Sequence, residues 1–198
     1  AGERWRIFAA VGGGVAIGVG LLNPRCPAYC GVDYAPPDTN ARIAATGVSD
    51  ERAYYYRHLG LLRVILRGEG PAEHPWAQSG VRARQYPVVH TSTIGLVGAY
   101  AGPTVYVIDE NALCDPLLAR LPARRDVRLR IGHMSRVIPE GYADSLRADR
   151  NLIRDPAIAA LYDDVRLVTR GPIWTRQRWR AIRRLMFGDY ARKVANAP

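Results

Sequence analysis

The feature that most constrains this chain is an apolar run close to its start, residues 7–22, which contains sixteen consecutive residues without a charge. As a helix the run would be about 24 Å long, slightly shorter than the hydrocarbon core of a bilayer, which is about 30 Å thick. Five of the sixteen residues are glycine, which disfavours an isolated soluble helix but suits close packing against other membrane helices. The run therefore predicts a transmembrane helix within residues 1–22.

The residues beside the run predict its orientation. Arg4 and Arg6 precede it, whereas Asn23 and Pro24 follow it. Since basic residues favour the cytoplasmic side, the remainder of the chain is expected on the extracytoplasmic, periplasmic side of the inner membrane. A secretory signal peptide or signal anchor is one alternative, and a glycine-rich buried segment of a soluble domain is another.

Composition limits the size of the core and the kinds of partner that the chain can have. The chain has 198 residues, of which 48% are hydrophobic and 23% are charged, so it can bury one ordinary core. Its net charge of +10 is almost wholly due to arginine, whose planar group grips phosphates and carboxylates, because Lys193 is the only lysine. The aromatic residues do not interleave with the basic runs, so nucleic acid is not expected as a partner.

The three cysteines indicate no cofactor. Cys26, Cys30 and Cys114 have no spacing typical of a zinc site, and neither a metal nor another cofactor is expected. In an oxidising compartment Cys26 and Cys30 could form a small disulfide and leave Cys114 as a buried thiol, while three free thiols are the alternative.

The organisation after the apolar run follows from turn residues and spacing. Residues 23–48 are rich in Pro, Gly and Asn and predict a linker, after which residues 49–198 predict a soluble extracytoplasmic domain. An acidic start at Ser49 opens a helix that extends to Gly68, with Gly60 kinking or splitting it. Residues 68–80 predict a second loop.

The most informative segment reads as strand, helix and strand. Residues 87–90 and 104–109 have the β-branched composition of strands, and the Gly-rich segment 93–100 between them predicts a helix. This order implies parallel pairing, so the fold class is predicted to be mixed α/β, with a small, partly parallel sheet flanked by helices. Asp109 ends the second strand, where open α/β sheets usually bind ligands.

Further elements are predicted towards the end of the chain. They are a helix over residues 111–121, an exposed strand over 124–131 with Ile131 facing inward, a short helix after Gly141, a short helix over 155–161 that could extend over 162–168, and a basic helix over 175–187. The basic helix has a possible apolar face made of Trp179, Ile182, Leu185 and Met186. It could lie on an anionic membrane or pack that face on the domain, and both possibilities stay open.

Three blocks of sequence together resemble a known family. They are SDERAYYY (49–56), IGLVGAYAGPTVYVIDENALCDPLLARLP (94–122) and IGHMSRVIPEGYADSL (131–146). This combination resembles the C-terminal extracytoplasmic domain of AftB-type arabinofuranosyltransferases and related bacterial GT-C membrane glycosyltransferases, over about residues 49–190. The chain is then expected to be the C-terminal piece of a longer protein.

The resemblance implies an activity and partners. The activity would be transfer of arabinofuranose, or a similar sugar, from a polyprenyl-phosphate donor to a cell-envelope glycan. The catalytic carboxylate of that family lies in the transmembrane part outside this sequence, so no catalytic residue is carried over. The implied partners are the glycan acceptor, the lipid-linked donor through the membrane half, and membrane lipid. The alternative is a non-catalytic, membrane-anchored carbohydrate-binding module.

Carboxylates, guanidinium groups and aromatic rings are the groups that a glycan site needs, because sugars present hydroxyl pairs and an apolar C–H face. The candidate substrate-binding residues are Glu51, Arg52, Tyr54, Tyr55, Asp109, Asp115, His133, Arg136 and Tyr142. Purely structural roles are the alternative. Glu51 could form an acidic first turn that offsets the helix dipole, and the tyrosines could lie in the core. The aspartates could cap turns, and His133 could only satisfy its own hydrogen bonds.

Overall fold

The computed structural model, which describes residues 2–22, 39–68, 70–124 and 131–190, places the apolar run in helix α1, Gly2–Leu22. The window Arg4–Leu22 is long and apolar enough to cross a membrane, and none of it is buried. Its glycines are open to the surroundings, since a Cβ at Gly13 or Gly18 would meet nothing within 4 Å. From Arg4 to Leu22 the helix is thus mostly apolar and has no buried residue.

Three further helices follow α1. Helix α2, Thr39–Thr46, lies inside the stretch predicted as a linker, whose residues 23–38, with Cys26 and Cys30, are outside the described part. Helices α3, Glu51–Leu59, and α4, Leu61–Arg67, are separated at Gly60, which confirms the predicted split. Gly68 ends α4 in the left-handed conformation, as a C-terminal glycine often does.

The prediction of a loop over residues 68–80 was wrong in its second half. A single 3-10 turn covers Pro71–Glu73, and helix α5, Pro75–Ala83, then begins at a proline. Proline suits the first turn of a helix because N–H groups there have no partner within the helix, so the N–H that proline lacks costs no hydrogen bond. At Gly80 a Cβ would lie 2.5 Å from the carbonyl oxygen of Val97, so the glycine allows α5 to approach the next helix closely.

The predicted strand–helix–strand unit is confirmed. Strand β1, Val88–Thr91, pairs in parallel with strand β2, Tyr106–Asp109, and Thr91 lies opposite Asp109 in the register. Helix α6, Ile94–Ala101, connects the strands. A helix-rich chain with a small parallel sheet is the predicted mixed fold class.

Residues 110–124 contradict the predicted helix over 111–121. They form turns and one 3-10 turn, Leu118–Arg120, because Ala112 has a positive φ of 59° and two aspartate side chains bind the local backbone N–H groups. Ile131 was predicted to face inward but is 68% exposed, since it lies in a turn that passes through Gly132 with φ 79°. The rest of the predicted strand, residues 125–130, lies outside the described residues.

The last three helices agree with the sequence. They are α7, Tyr142–Ala148, α8, Pro156–Arg170, and α9, Arg176–Phe187. The side chain of Asp155 accepts the N–H groups of Ala157 and Ile158 at the start of α8, and Thr175 accepts that of Arg178 at the start of α9. These side chains satisfy N–H groups that have no partner within the helix.

The chain divides into two compact units, Ala1–His74 and Pro75–Pro198. Helices α3 and α4, which the sequence placed with the soluble domain, thus lie in the first unit. The apolar core of the second unit joins the sheet, the 3-10 turn and helices α7 and α8. It consists of Val88, Ile108, Leu117, Leu118, Leu121, Tyr142, Leu146, Ile153, Leu161, Tyr162 and Val165.

Candidate functional site

Asp109 ends β2 with its side chain fully buried. One carboxylate oxygen accepts the N–H of Asn111 at 3.0 Å, and the other accepts those of Leu113 at 2.6 Å and Cys114 at 3.1 Å. These three bonds wind the backbone around the carboxylate instead of letting a helix continue. The carboxylate therefore holds the loop after β2 in place.

Asp115 has a second set of backbone partners. Its Oδ1 accepts the N–H groups of Leu117 at 3.0 Å and Leu118 at 2.9 Å, and its carboxylate lies 3.0 Å from the hydroxyl of Tyr142. The hydroxyl of Tyr142 also lies 3.1 Å from that of Tyr106. Since Tyr142 has one proton and gives it to the carboxylate, Tyr106 donates to Tyr142. We call this series, Tyr106 to Tyr142 to Asp115, the tyrosine–aspartate chain.

Burial shifts the pKa values of all three members of the tyrosine–aspartate chain. It raises the pKa of Tyr106 to about 12, with the Asp115 carboxylate acting in the same direction, and it raises the pKa of Tyr142 as well. Burial also raises the pKa of Asp115, while the bonds from Leu118, Tyr142 and Leu117 oppose that change. Because both phenols keep their protons near neutral pH, the two hydrogen bonds point in one direction, towards Asp115.

A groove of about 490 Å³ lies between α6 and β2. We call it the glycine groove, and its lining is Ile94, Gly95, Gly98, Ala99, Val105, Tyr106, Val107, Cys114 and Pro116. A Cβ added at Gly95 or Gly98 would meet nothing within 4 Å, so the missing side chains leave this space open. Tyr106 connects the groove to the tyrosine–aspartate chain, and the guanidinium of Arg170 lies 5.1 Å from the centre of its ring.

Cys114 was predicted as a buried thiol, and this was wrong because the residue is exposed at the side of the glycine groove. Partial desolvation of its sulfur, together with the carboxylates of Asp109 and Asp115, raises the pKa of the thiol to about 11. The thiol is therefore protonated at neutral pH, which makes it a poor nucleophile.

The contacts of Arg136 are with backbone carbonyls. Its Nε donates to the carbonyl oxygen of Leu121 at 2.8 Å, its Nη1 donates to that of Met134, and its own N–H donates to that of Glu110 at 2.7 Å. The residue thus ties the segment after residue 131 to the loop after β2. His133 makes its one described side-chain contact, 3.4 Å from Nδ1, with the carbonyl oxygen of Ile131 in the same turn.

The remaining candidates belong to the first unit. Glu51 is exposed at the first position of α3, and the ring of Tyr55 lies 6.0 Å from that of His74. The side chains of Arg52 and Tyr54 lie outside the described part of the structure. Of the nine candidates, the structure thus brings together Asp115 and Tyr142 directly, and Asp109 ends the strand that precedes the loop containing Asp115.

Sequence reasoning missed two residues that line the groove, Tyr106 and Gly98, and a third, Arg170, that contacts one of them. Tyr106 and Ile108 are two positions apart in β2 and therefore face the same side of the sheet, a signal that could have identified Tyr106. Gly98 was noticed only as part of a helix, and Arg170 reaches Tyr106 across a separation that no local pattern reveals.

Within the described residues, no three His, Cys, Asp or Glu side chains are close enough together to hold a metal ion. The chain was also compared with known proteins. No family model, no curated protein and no solved structure matches it, so its function has to be inferred from its own residues and geometry.

Proposed function

We propose that this chain is the C-terminal, extracytoplasmic part of a membrane glycosyltransferase and that its second unit holds the glycan acceptor. The transferred sugar is arabinofuranose or a similar sugar carried on polyprenyl phosphate, and transfer itself takes place in the membrane half. The observation that carries this proposal is the glycine groove with Tyr106, the first member of the tyrosine–aspartate chain, in its lining.

The groove has the chemistry that a sugar ring requires. Its aliphatic and glycine lining suits the C–H face of a sugar, and its volume of about 490 Å³ is that of a small-molecule site. Because Tyr106 gives its proton to Tyr142, its oxygen can still accept a hydrogen bond from a ligand. A sugar hydroxyl that donates to Tyr106 would therefore extend the tyrosine–aspartate chain by one member.

Two of the three blocks that resemble the glycosyltransferase family build this region. Residues 94–122 supply α6, β2 and both buried aspartates, and residues 131–146 supply Arg136 and Tyr142. The resemblance thus falls on α6 and β2, whose residues line the groove, and on Tyr142, which bonds with Tyr106 of that lining, and this supports a binding role.

The hydrogen bonds of the two aspartates favour a structural role for them over a catalytic one. Asp109 and Asp115 are buried, and each carboxylate is engaged by backbone N–H groups that it would have to release in order to act as a base. Helix α1, which is uncovered and long enough to cross a membrane, supports attachment to a membrane.

The groove can be tested by filling it. In the full-length transferase, Gly98→Leu adds a side chain where nothing lies within 4 Å of the new Cβ. We expect the KM for the glycan acceptor to rise about tenfold, which corresponds to about 1.4 kcal/mol. Since leucine favours a helix over glycine by about 0.7 kcal/mol, the variant should fold at least as well as the parent.

The matched control is Ala148→Leu, which places the same leucine side chain at an exposed position of α7. It should leave the KM for the acceptor unchanged. An unchanged KM in Gly98→Leu as well would contradict acceptor binding in the groove. Binding of arabinan oligosaccharides by a parent protein that has no other membrane spans would instead favour the carbohydrate-binding module.

A further inference from the structure

Helix α9 has two faces of different character. The inner face contains Ala181, which is fully buried, and the half-buried Ile182 and Leu185. Arg184 holds this helix to α8, since its guanidinium donates two hydrogen bonds, of 2.7 and 2.5 Å, to the buried carboxylate of Asp164. Although burial acts to raise the pKa of Asp164, the bonds from Arg184 and Tyr190 lower it overall, so the pair is ionised and the inner face is fixed on the domain.

The outer face mixes aromatic, apolar and basic side chains. Positions three, four, seven, ten and eleven after Arg176 return to the same side of a helix. The outer face therefore consists of Arg176, Trp179, Arg180, Arg183, Met186 and Phe187, all of them exposed. Trp179 is 55% exposed and Phe187 80%, and the turn before the helix adds Trp174 at 86%.

The basic residues of this face have no acidic partner among the described residues. Arg176, Arg180 and Arg183 make no ion pair there, and α9 itself contains no acidic side chain. Three guanidinium groups without an acidic partner, beside exposed tryptophan and phenylalanine rings, suit an anionic partner that also offers an apolar phase.

We propose that the outer face of α9, with Trp174, docks on an anionic lipid surface. Guanidinium groups would bind lipid phosphates, and the aromatic rings would enter the boundary between the headgroups and the acyl chains. The membrane is favoured over another protein or a glycan because the same chain contains α1, which can cross a bilayer and would keep that surface within reach. The inference shares this membrane attachment with the proposed function but does not depend on which sugar is transferred.

The experiment uses the full chain reconstituted in vesicles. Trp5→Phe and Trp76→Phe leave Trp174 and Trp179 as the only tryptophans, since the chain has four. Vesicles contain either phosphatidylcholine alone or about one quarter phosphatidylglycerol, a composition that gives a negative surface potential. Lipids brominated on their acyl chains quench tryptophan emission only at close contact, so quenching reports docking of the outer face.

Quenching should be several-fold stronger in the anionic vesicles and should fall at high salt. Each arginine near an anionic surface raises association about fivefold, so the combined variant Arg176→Gln, Arg180→Gln and Arg183→Gln should reduce docking about a hundredfold. The charge-matched control changes three exposed arginines elsewhere, Arg67→Gln, Arg82→Gln and Arg150→Gln, and should retain the quenching of the parent.

Resistance of the chain to alkaline extraction from the same vesicles reports whether α1 has inserted, so failure of membrane attachment and failure of docking are separate results. Equal quenching in neutral and anionic vesicles would overturn the proposal, as would equal loss in the two triple variants. Emission that responds to an arabinan oligosaccharide but not to brominated lipid would assign this face to the glycan and would also overturn it.

Discussion

The two compact units of the chain differ in how they cover their apolar side chains. Among the described side chains of the first unit, Tyr56 is the one buried hydrophobic residue, whereas the second unit closes a core of eleven buried residues around its sheet. Helix α1 exposes side chains as large as Phe8 and Leu22. The second unit is thus stabilised by its own packing, whereas the described residues leave the apolar side chains of α1 uncovered.

The two units differ because hydrophobic burial contributes free energy to the second unit but not to α1 in water. A fully buried aliphatic or aromatic side chain contributes about 1.5–3 kcal/mol, and the second unit gains this many times over. In water α1 gains none of it, and its five glycines weaken the helix further. A bilayer or neighbouring membrane helices would provide both the apolar contact and the close approach that glycine allows.

The largest effect is expected in the interior of the second unit, at Asp115. Asp115→Ala leaves the N–H groups of Leu117 and Leu118 and the hydroxyl of Tyr142 without their acceptor. Each unsatisfied buried group costs about 1–3 kcal/mol, so we expect the free energy of unfolding to fall by about 3–5 kcal/mol. Denaturant unfolding followed by the near-ultraviolet signal of the tyrosines measures this loss.

Two controls define the cause of that loss. Asp115→Asn keeps an acceptor oxygen and should cost clearly less than the alanine variant. Glu140→Ala removes an exposed carboxylate that pairs with Arg154, and should change stability by about 0.5 kcal/mol or less. A similar loss for Asp115→Ala and Glu140→Ala would mean that the buried chain is not a major source of stability.

The second prediction addresses α1 alone. Val15→Arg puts a charge near the middle of the candidate span, where arginine costs about 2.5–3.5 kcal/mol relative to a neutral residue. We expect a large loss of the fraction that resists alkaline extraction from membranes, whereas the thermal midpoint of the second unit stays the same. Val15→Leu is the control and should remain in the membrane fraction. Retention of Val15→Arg there would argue that α1 does not hold the chain in the bilayer.

The sequence predicted those elements whose signals are local. Helices α8 and α9 were predicted from local sequence, the second with its end at Gly188, and the division at Gly60 was predicted from the glycine itself. In the structure Asp155 and Thr175 cap these two helices. Helix α5 was missed because Pro75 was interpreted as a loop residue, although proline is equally suited to a first helical turn.

The site was predicted less well because its contacts are distant in sequence. Asp109 and Asp115 were identified as candidates, but spacing alone could not show that their oxygens would bind the backbone and prevent the helix predicted over 111–121. The bond between Tyr106 and Tyr142 joins residues 36 positions apart, and the fold alone brings them together. Local propensity was therefore sufficient to predict most helices, whereas tertiary packing determines the loop beside the groove.

The smallest expected effect lies in the first unit and depends on pH. His74 is buried, and its ring lies 5.1 Å from that of His58 and 6.0 Å from that of Tyr55. Burial lowers the pKa of His74 below its ordinary value of 6.5, and His58 acts in the same direction. The unfolded chain therefore binds this proton first, so the contribution of His74 is complete above pH 6.5 and declines as the pH falls below that value.

Hydrogen exchange of the backbone amides can separate this effect from the behaviour of the second unit. Between about pH 7 and about pH 5, after correction for intrinsic exchange rates, protection of α3 should decrease while that of α8 stays constant. His74→Phe keeps an aromatic ring without the titrating group, and should remove the dependence on pH in α3. If α8 lost protection in parallel, or if the phenylalanine variant kept the dependence, the proton would act elsewhere, and the first unit would not have a pH-sensitive contact of its own.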